Sequence, residues 1–107
     1  MEYRRYEMDV KSTKLGIGSI GAAATIAEAK ARLIEELDRY PDNIGGIIYD
    51  YRKREVIAVY NDFPMDEINP AHRGNPKRHT TPLYRQEQRE YRQMLKSLIH
   101  RQAQPET

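Results

Sequence analysis

GIGSIGAAATIAEAKARLIEELDRY, residues 16–40, decides how the rest of the chain is read. Gly16, Gly18 and Gly21 stand in the spacing of a dinucleotide-binding fingerprint, and the residues after them make the clearest helix in the sequence. That fingerprint works when an apolar strand delivers the first glycine into a tight turn. The helix directly after it then takes a pyrophosphate on its N-terminus. Here the preceding residues 11–14 are Lys-Ser-Thr-Lys, and the helix-capping residue, Thr25, arrives four positions after Gly21. Asp38, near the spacing of a ribose ligand, falls inside the helix and not at a strand end. The glycines therefore read as an open loop or a weak, bulged strand on the way to the helix, and no cofactor is expected.

The helix itself is well marked. Thr25 and Glu28 have the spacing of a capping box, in which each side chain satisfies a backbone N–H that the first turn leaves unpaired. Ile26, Ala29, Leu33, Ile34, Leu37 and Tyr40 recur at intervals of three and four and form one apolar stripe. Glu28 and Arg32 form a favourable i,i+4 pair on the other side. Pro41 ends the helix, because the residue before a proline avoids the α region.

On either side the pattern changes to period two. Tyr6, Met8 and Val10 alternate with Arg5, Glu7, Asp9 and Lys11, which predicts a strand with one apolar face. Residues 44–51 and 55–61 are β-branched and aromatic, and the short basic link between them predicts an antiparallel hairpin closed by a four-residue loop. Ile47, Tyr49 and Tyr51 are expected to share one face, and Ile57 and Val59 a face of the partner strand. The expected fold is α+β: a mainly antiparallel sheet of three or four strands covered by helix 25–40, within a body spanning residues 1–62. Residues 63–82, with Pro64, Pro70, Pro76 and Pro82 and little apolar content, read as a basic linker. Thr81 and Pro82 then suit the start of a C-terminal helix over 83–102, with a frayed tail over 103–107. Tyr84, Tyr91, Met94, Leu95, Leu98 and Ile99 form its apolar stripe.

The 107 residues leave room for one domain. With 38% hydrophobic residues and a mean hydropathy of −0.90, its core must be modest. There is no cysteine, which excludes disulfides, thiolate metal sites and cysteine nucleophiles. No secretory signal and no membrane-spanning run is apparent, so a soluble, cytoplasmic protein is expected, with no membrane partner. Charge is divided along the chain. Residues 1–69 carry 10 Lys/Arg against 13 Asp/Glu, whereas residues 70–102 carry 8 against 2.

No spacing points to catalysis or to a metal. His72, His79 and His100 have neither HxxxH nor HxH spacing, and Ser12, Ser19 and Ser97 lie in no nucleophile elbow. The candidate contact residues are instead in the C-terminal third: Arg73, Lys77, Arg78, His79, Tyr84, Arg85, Arg89, Tyr91, Arg92 and Lys96. Arginine and tyrosine are enriched at protein interfaces, and they also neutralise phosphates and stack on bases. The first expectation is a non-enzymatic module that binds an unidentified protein, and the second is a nucleic-acid-binding protein. Alternatively the terminal helix is part of the core, its arginines a solvated face. A small ribonuclease toxin is a further alternative, with Tyr49, Tyr51, Arg52, Arg54 and His79 as its acid–base and phosphate groups.

The block over residues 3–61 resembles small accessory proteins of phages and other mobile elements. The likeness lies in a short first strand, in the helix start carrying Thr25, Glu28, Ala29 and Lys30, and in the hairpin from Ile47 to Ile57. The resemblance implies a regulator or inhibitor of a host or defence system that acts by binding, and it carries over no functional residue.

Overall fold

The structure is a computed structural model and describes residues 3–80, 89–90 and 93–98. Five strands form one sheet in the order β2-β1-β3-β4-β5, antiparallel except for the last pair, with a helix packed on one face. The fold is α+β, as expected.

Strand β1 (Tyr6–Ser12), held between two neighbours, alternates as expected: Tyr6, Met8, Val10 and Ser12 are buried, and Glu7, Asp9 and Lys11 are half-buried on the opposite face. Ser12 turns the chain, its Oγ accepting the N–H groups of Lys14 and Leu15 at 3.2 Å. The glycine stretch then runs back beside β1 as β2 (Gly16–Ala23). Its pairing shifts by one residue where Met8 faces Gly21 and Asp9 faces Ser19, so Ile20 is the extra residue of a bulge. Gly21, at φ +131, supplies the conformation this bulge needs.

Helix α1 (Ile26–Arg39) begins where the cap predicts. Thr25 Oγ1 accepts the Glu28 N–H at 3.2 Å, while the Glu28 carboxylate turns to Arg32 at 3.8 Å. Ala29, Leu33, Ile34 and Leu37 are buried against Tyr6, Met8, Val10, Ile48, Ala58 and Tyr60. The two ends of the expected stripe, Ile26 and Tyr40, are exposed. The helix carries the chain across β1, so β3 (Asn43–Asp50) lies on the other side of β1 from β2. β4 (Glu55–Asn61) completes the expected hairpin.

Asp50 organises the hairpin loop. Its buried carboxylate accepts the N–H groups of Arg52 and Lys53 and a two-pronged bond from Arg5, each prong 2.8 Å long. The guanidinium holds this carboxyl below the usual carboxylate range. One face assignment is corrected: a register shift between Ile48 and Tyr49 turns Ile57 to the helix side, away from Val59.

The larger correction concerns residues 63–82. Over the described part, 63–80, this stretch is folded onto the sheet. Phe63 is 1% exposed and packs with Ile47, Val56 and Val59 into a second core on the face opposite α1, with Tyr49, Met65 and Ile68 around it. Two short 3₁₀ turns come next, Met65–Glu67 and Pro70–His72, and then β5 (Arg78–His79) pairs in parallel with β4. The prolines shape turns here. Polar composition concealed one large aromatic residue that has a full pocket.

Candidate functional site

The basic residues proposed as contacts divide into two groups. Arg73 donates from Nε to the Ile68 carbonyl at 2.8 Å and from Nη2 to that of Asp66 at 3.1 Å. Arg78 donates to the carbonyls of Asn61 and Phe63, the latter at 3.2 Å. His79 stacks on buried Tyr60, with ring centroids 4.9 Å apart. Arg73 braces the 3₁₀ turns of this segment internally, and Arg78 and His79 tie it to β4, so all three side chains are engaged within the chain.

Lys77, Arg89 and Lys96 are exposed. Tyr84, Arg85, Tyr91 and Arg92 lie outside the described residues. Residues 89–90 and 93–98 are helical, and every one of them is exposed. Met94, Leu95 and Leu98 retain 46, 38 and 45% of their accessible surface. These three fall within about 100° of one another around the helix and form an apolar patch, with Lys96 on the other side. A helix that docked on its own body would bury that patch.

A polar cluster of which sequence reading singled out only Tyr49 and Tyr51 as acid–base candidates, and not Glu7 and Asp9, lies on the sheet face opposite α1. The Tyr51 hydroxyl donates to the Glu7 carboxylate. Tyr51 meets Tyr49 edge-on with centroids 5.6 Å apart, and the Tyr49 hydroxyl is 3.0 Å from His72 Nδ1. Asp9 neighbours Glu7 along β1, and its Oδ1 is buried with no hydrogen-bond partner among the described residues. Burial, reinforced by the charge of Glu7 and a hydrogen bond to it, pushes the Asp9 carboxyl up to about 7. The bond to Glu7, with burial behind it, raises Tyr51 to about 12. The signal in the sequence was the Glu7, Asp9 alternation, two acids two residues apart on a strand.

Of the residues considered for a ribonuclease, Tyr49 and His79 are not brought together. Tyr49 packs with the Phe63 core, whereas His79 stacks on Tyr60 of the helix-side core, so the two lie on opposite faces of the sheet. Nor do the glycines form a phosphate-binding turn, since residues 16–21 are extended within β2 and the helix starts beyond them. Among the described residues there is no cluster of three potential metal ligands, and no helix is long and apolar enough to cross a membrane.

A cleft of about 440 Å³ opens between β2 and the C-terminal end of α1. Val10, Leu15, Ile20 and Tyr40 supply its apolar wall, Gly16 and Gly18 its open side, and Lys14, Glu36 and Asp42 its polar rim. Lys14 and Asp42 pair across that rim at 3.3 Å. Comparison with known proteins found no matching family model, no matching curated protein and no matching solved structure.

Proposed function

We propose that this protein is a binding module without catalysis, which grips a protein partner through its C-terminal helix. The observation that carries this reading is the exposure of Met94, Leu95 and Leu98 on one helix face. An amphipathic helix whose apolar side is uncovered has the form of a segment that docks in another protein's groove, read by anchors at i, i+3, i+4 spacing. Lys96 stands on the opposite side of the helix from Met94 and Leu98, so it faces away from that groove. The likeness of residues 3–61 to accessory proteins of mobile elements supports a regulatory or inhibitory role against a host or defence system.

The nucleic-acid reading draws on the same exposed cations, Lys77, Arg89 and Lys96. It is weakened by Arg73 and Arg78, whose donors are engaged with backbone carbonyls. A gel-shift series with DNA and RNA at two salt concentrations separates the two readings. Phosphate-driven binding falls steeply with salt, whereas binding through an apolar helix face does not. We expect no shift at low salt, together with capture of a host protein that is lost when Leu95 and Leu98 are replaced by glutamate. A salt-sensitive shift that survives those replacements would transfer the function to nucleic acid.

A further inference from the structure

The turn between β3 and β4 offers a second surface, independent of the C-terminal helix. Arg52, Lys53 and Arg54 are the one run of three consecutive Lys/Arg residues in the sequence, and all three are exposed. Arg4 is exposed beside them, next to Arg5, whose carbonyl accepts the Tyr51 N–H at 3.0 Å. Arg5 itself is neutralised by Asp50. Among the described residues, the side chains of Arg4, Arg52, Lys53 and Arg54 make no hydrogen bond and no ion pair. The backbone beneath them is held firmly. Asp50 Oδ1 accepts the N–H groups of Arg52 and Lys53, its carbonyl accepts the Arg54 N–H at 2.7 Å, and His72 Nδ1 lies 3.0 Å from the Arg54 carbonyl oxygen.

Arg54 is the informative residue. Its φ is +57, in the left-handed region where a Cβ crowds the backbone and glycine or asparagine is favoured. The other described residues with positive φ follow that preference: Gly16, Gly21, Gly74 and Asn61. Hairpin loops ordinarily place glycine at such a position. Arg54 therefore sits where the fold prefers a smaller residue, and its guanidinium returns no contact to the fold. A residue held against its backbone preference marks a position at which the side chain serves something other than stability.

We propose that this turn docks on an acidic segment of a protein, with Arg4, Arg52, Lys53 and Arg54 meeting its carboxylates. Charge complementarity carries the choice. Four unpaired cations on a clamped turn keep their charge available, and guanidinium groups take carboxylates in two-pronged bonds. Acids bound the cationic surface: Glu7 accepts from the Tyr51 hydroxyl, and half-buried Glu55 follows Arg54. A nucleic-acid strand needs a basic track along which successive phosphates are neutralised, and here it would run its phosphates against those two carboxylates. A short acidic segment that ends on the turn avoids them. The Tyr51 ring, exposed beside Arg52, adds apolar surface to the contact.

A backbone-amide NMR titration of the full chain with a short glutamate-rich peptide at low salt tests this. The expected result is a set of shifts concentrated at residues 51–54 and beside Arg4, weakening as salt is raised. Arg54→Gly should reduce the affinity about twofold to fivefold, the worth of one exposed ion pair, while the thermal midpoint stays level or rises. Replacing Arg52, Lys53 and Arg54 together by glutamate should abolish the shifts. Replacing Leu95 and Leu98 by glutamate should leave them as they are, which separates this surface from the helix. No response, or shifts spread equally over Lys77, Arg89 and Lys96, overturns the proposal. An unchanged affinity in Arg54→Gly rejects it too, and a lowered midpoint there would mean that the arginine serves the turn itself. Tighter binding of an RNA oligonucleotide of equal charge at residues 51–54 would replace the acidic protein by nucleic acid.

Discussion

Asp9 is the residue at which this fold departs furthest from ordinary chemistry. It is held with one buried carboxylate oxygen unpartnered and a carboxyl pushed up to about 7. A native carboxyl raised in this way binds a proton that the unfolded chain lacks. Stability is therefore lost as pH rises from the ordinary carboxylate range through about 7, and it levels off above that. Asp9→Asn keeps the shape and removes the charge. It should abolish that slope and be more stable than the wild type above neutrality, by about 1–2 kcal/mol once solvent screening of this half-buried group is allowed for. Urea denaturation across pH 5 to 9, on the order of one titration step either side of neutral, checks the sign and the plateau. Asp50 behaves oppositely: with its carboxyl held down by Arg5, its contribution is present at neutral pH and is lost in acid. Both residues are legible in the sequence as outward or turn-forming acids. That one is destabilised and the other anchored depends on Arg5, Glu7 and burial, which are set by strand pairing and leave no local trace in the sequence.

At the scale of elements, the glycines show where sequence reading succeeds and where it stops. The helix is readable because a capping threonine, a 3–4 spaced stripe and a terminal proline agree with one another. β2 is ambiguous because three glycines and small residues give neither period nor bulk. The hydrophobic pattern puts Ile57 on the wrong face, because a bulge shifts side-chain direction while the pattern stays the same. Phe63 escapes notice because the residues after it are mostly polar and proline-rich, with only Met65 and Ile68 to signal packing, although a structureless stretch of about 15 residues is uncommon in a compact domain. Gly45 explains how that segment can lie so close: a Cβ there would meet the Tyr60 carbonyl oxygen at 2.6 Å and the backbone of Phe63. Gly45→Ala should therefore release the segment that Phe63 anchors, and Phe63→Ala should cost about 3–4 kcal/mol, with faster hydrogen exchange over residues 62–80 in both. Gly18→Ala, by contrast, meets open space and should leave the protein equal in stability or about 0.5 kcal/mol more stable. Equal losses for Gly45→Ala and Gly18→Ala would mean that the two glycines have the same role, contrary to the packing described.

For the whole molecule, the division of charge seen in the sequence takes a different form once folded. The body extends through β5 and becomes neutral, with 13 Lys/Arg against 13 Asp/Glu over residues 1–79, and Arg73, Arg78 and His79 are engaged in closing it. The helical residues 93–98 are exposed, with Met94, Leu95 and Leu98 on one side and Lys96 on the other. The body has a complete core on each face of its sheet and draws no side chain from residues 93–98, all of which are exposed. The proposed function assigns the apolar patch of that helix to a partner and not to the fold, and depends on its exposure. The most direct test is the unfolding free energy of the full chain with Leu95→Glu and Leu98→Glu together, measured alongside partner capture. Surface positions away from any packed core change stability by about 0.5 kcal/mol or less, and that small change, with capture abolished, is the predicted result. A loss of several kcal/mol, the roughly 2–5 kcal/mol typical of each buried leucine removed from a core, would contradict it and make the helix part of the fold.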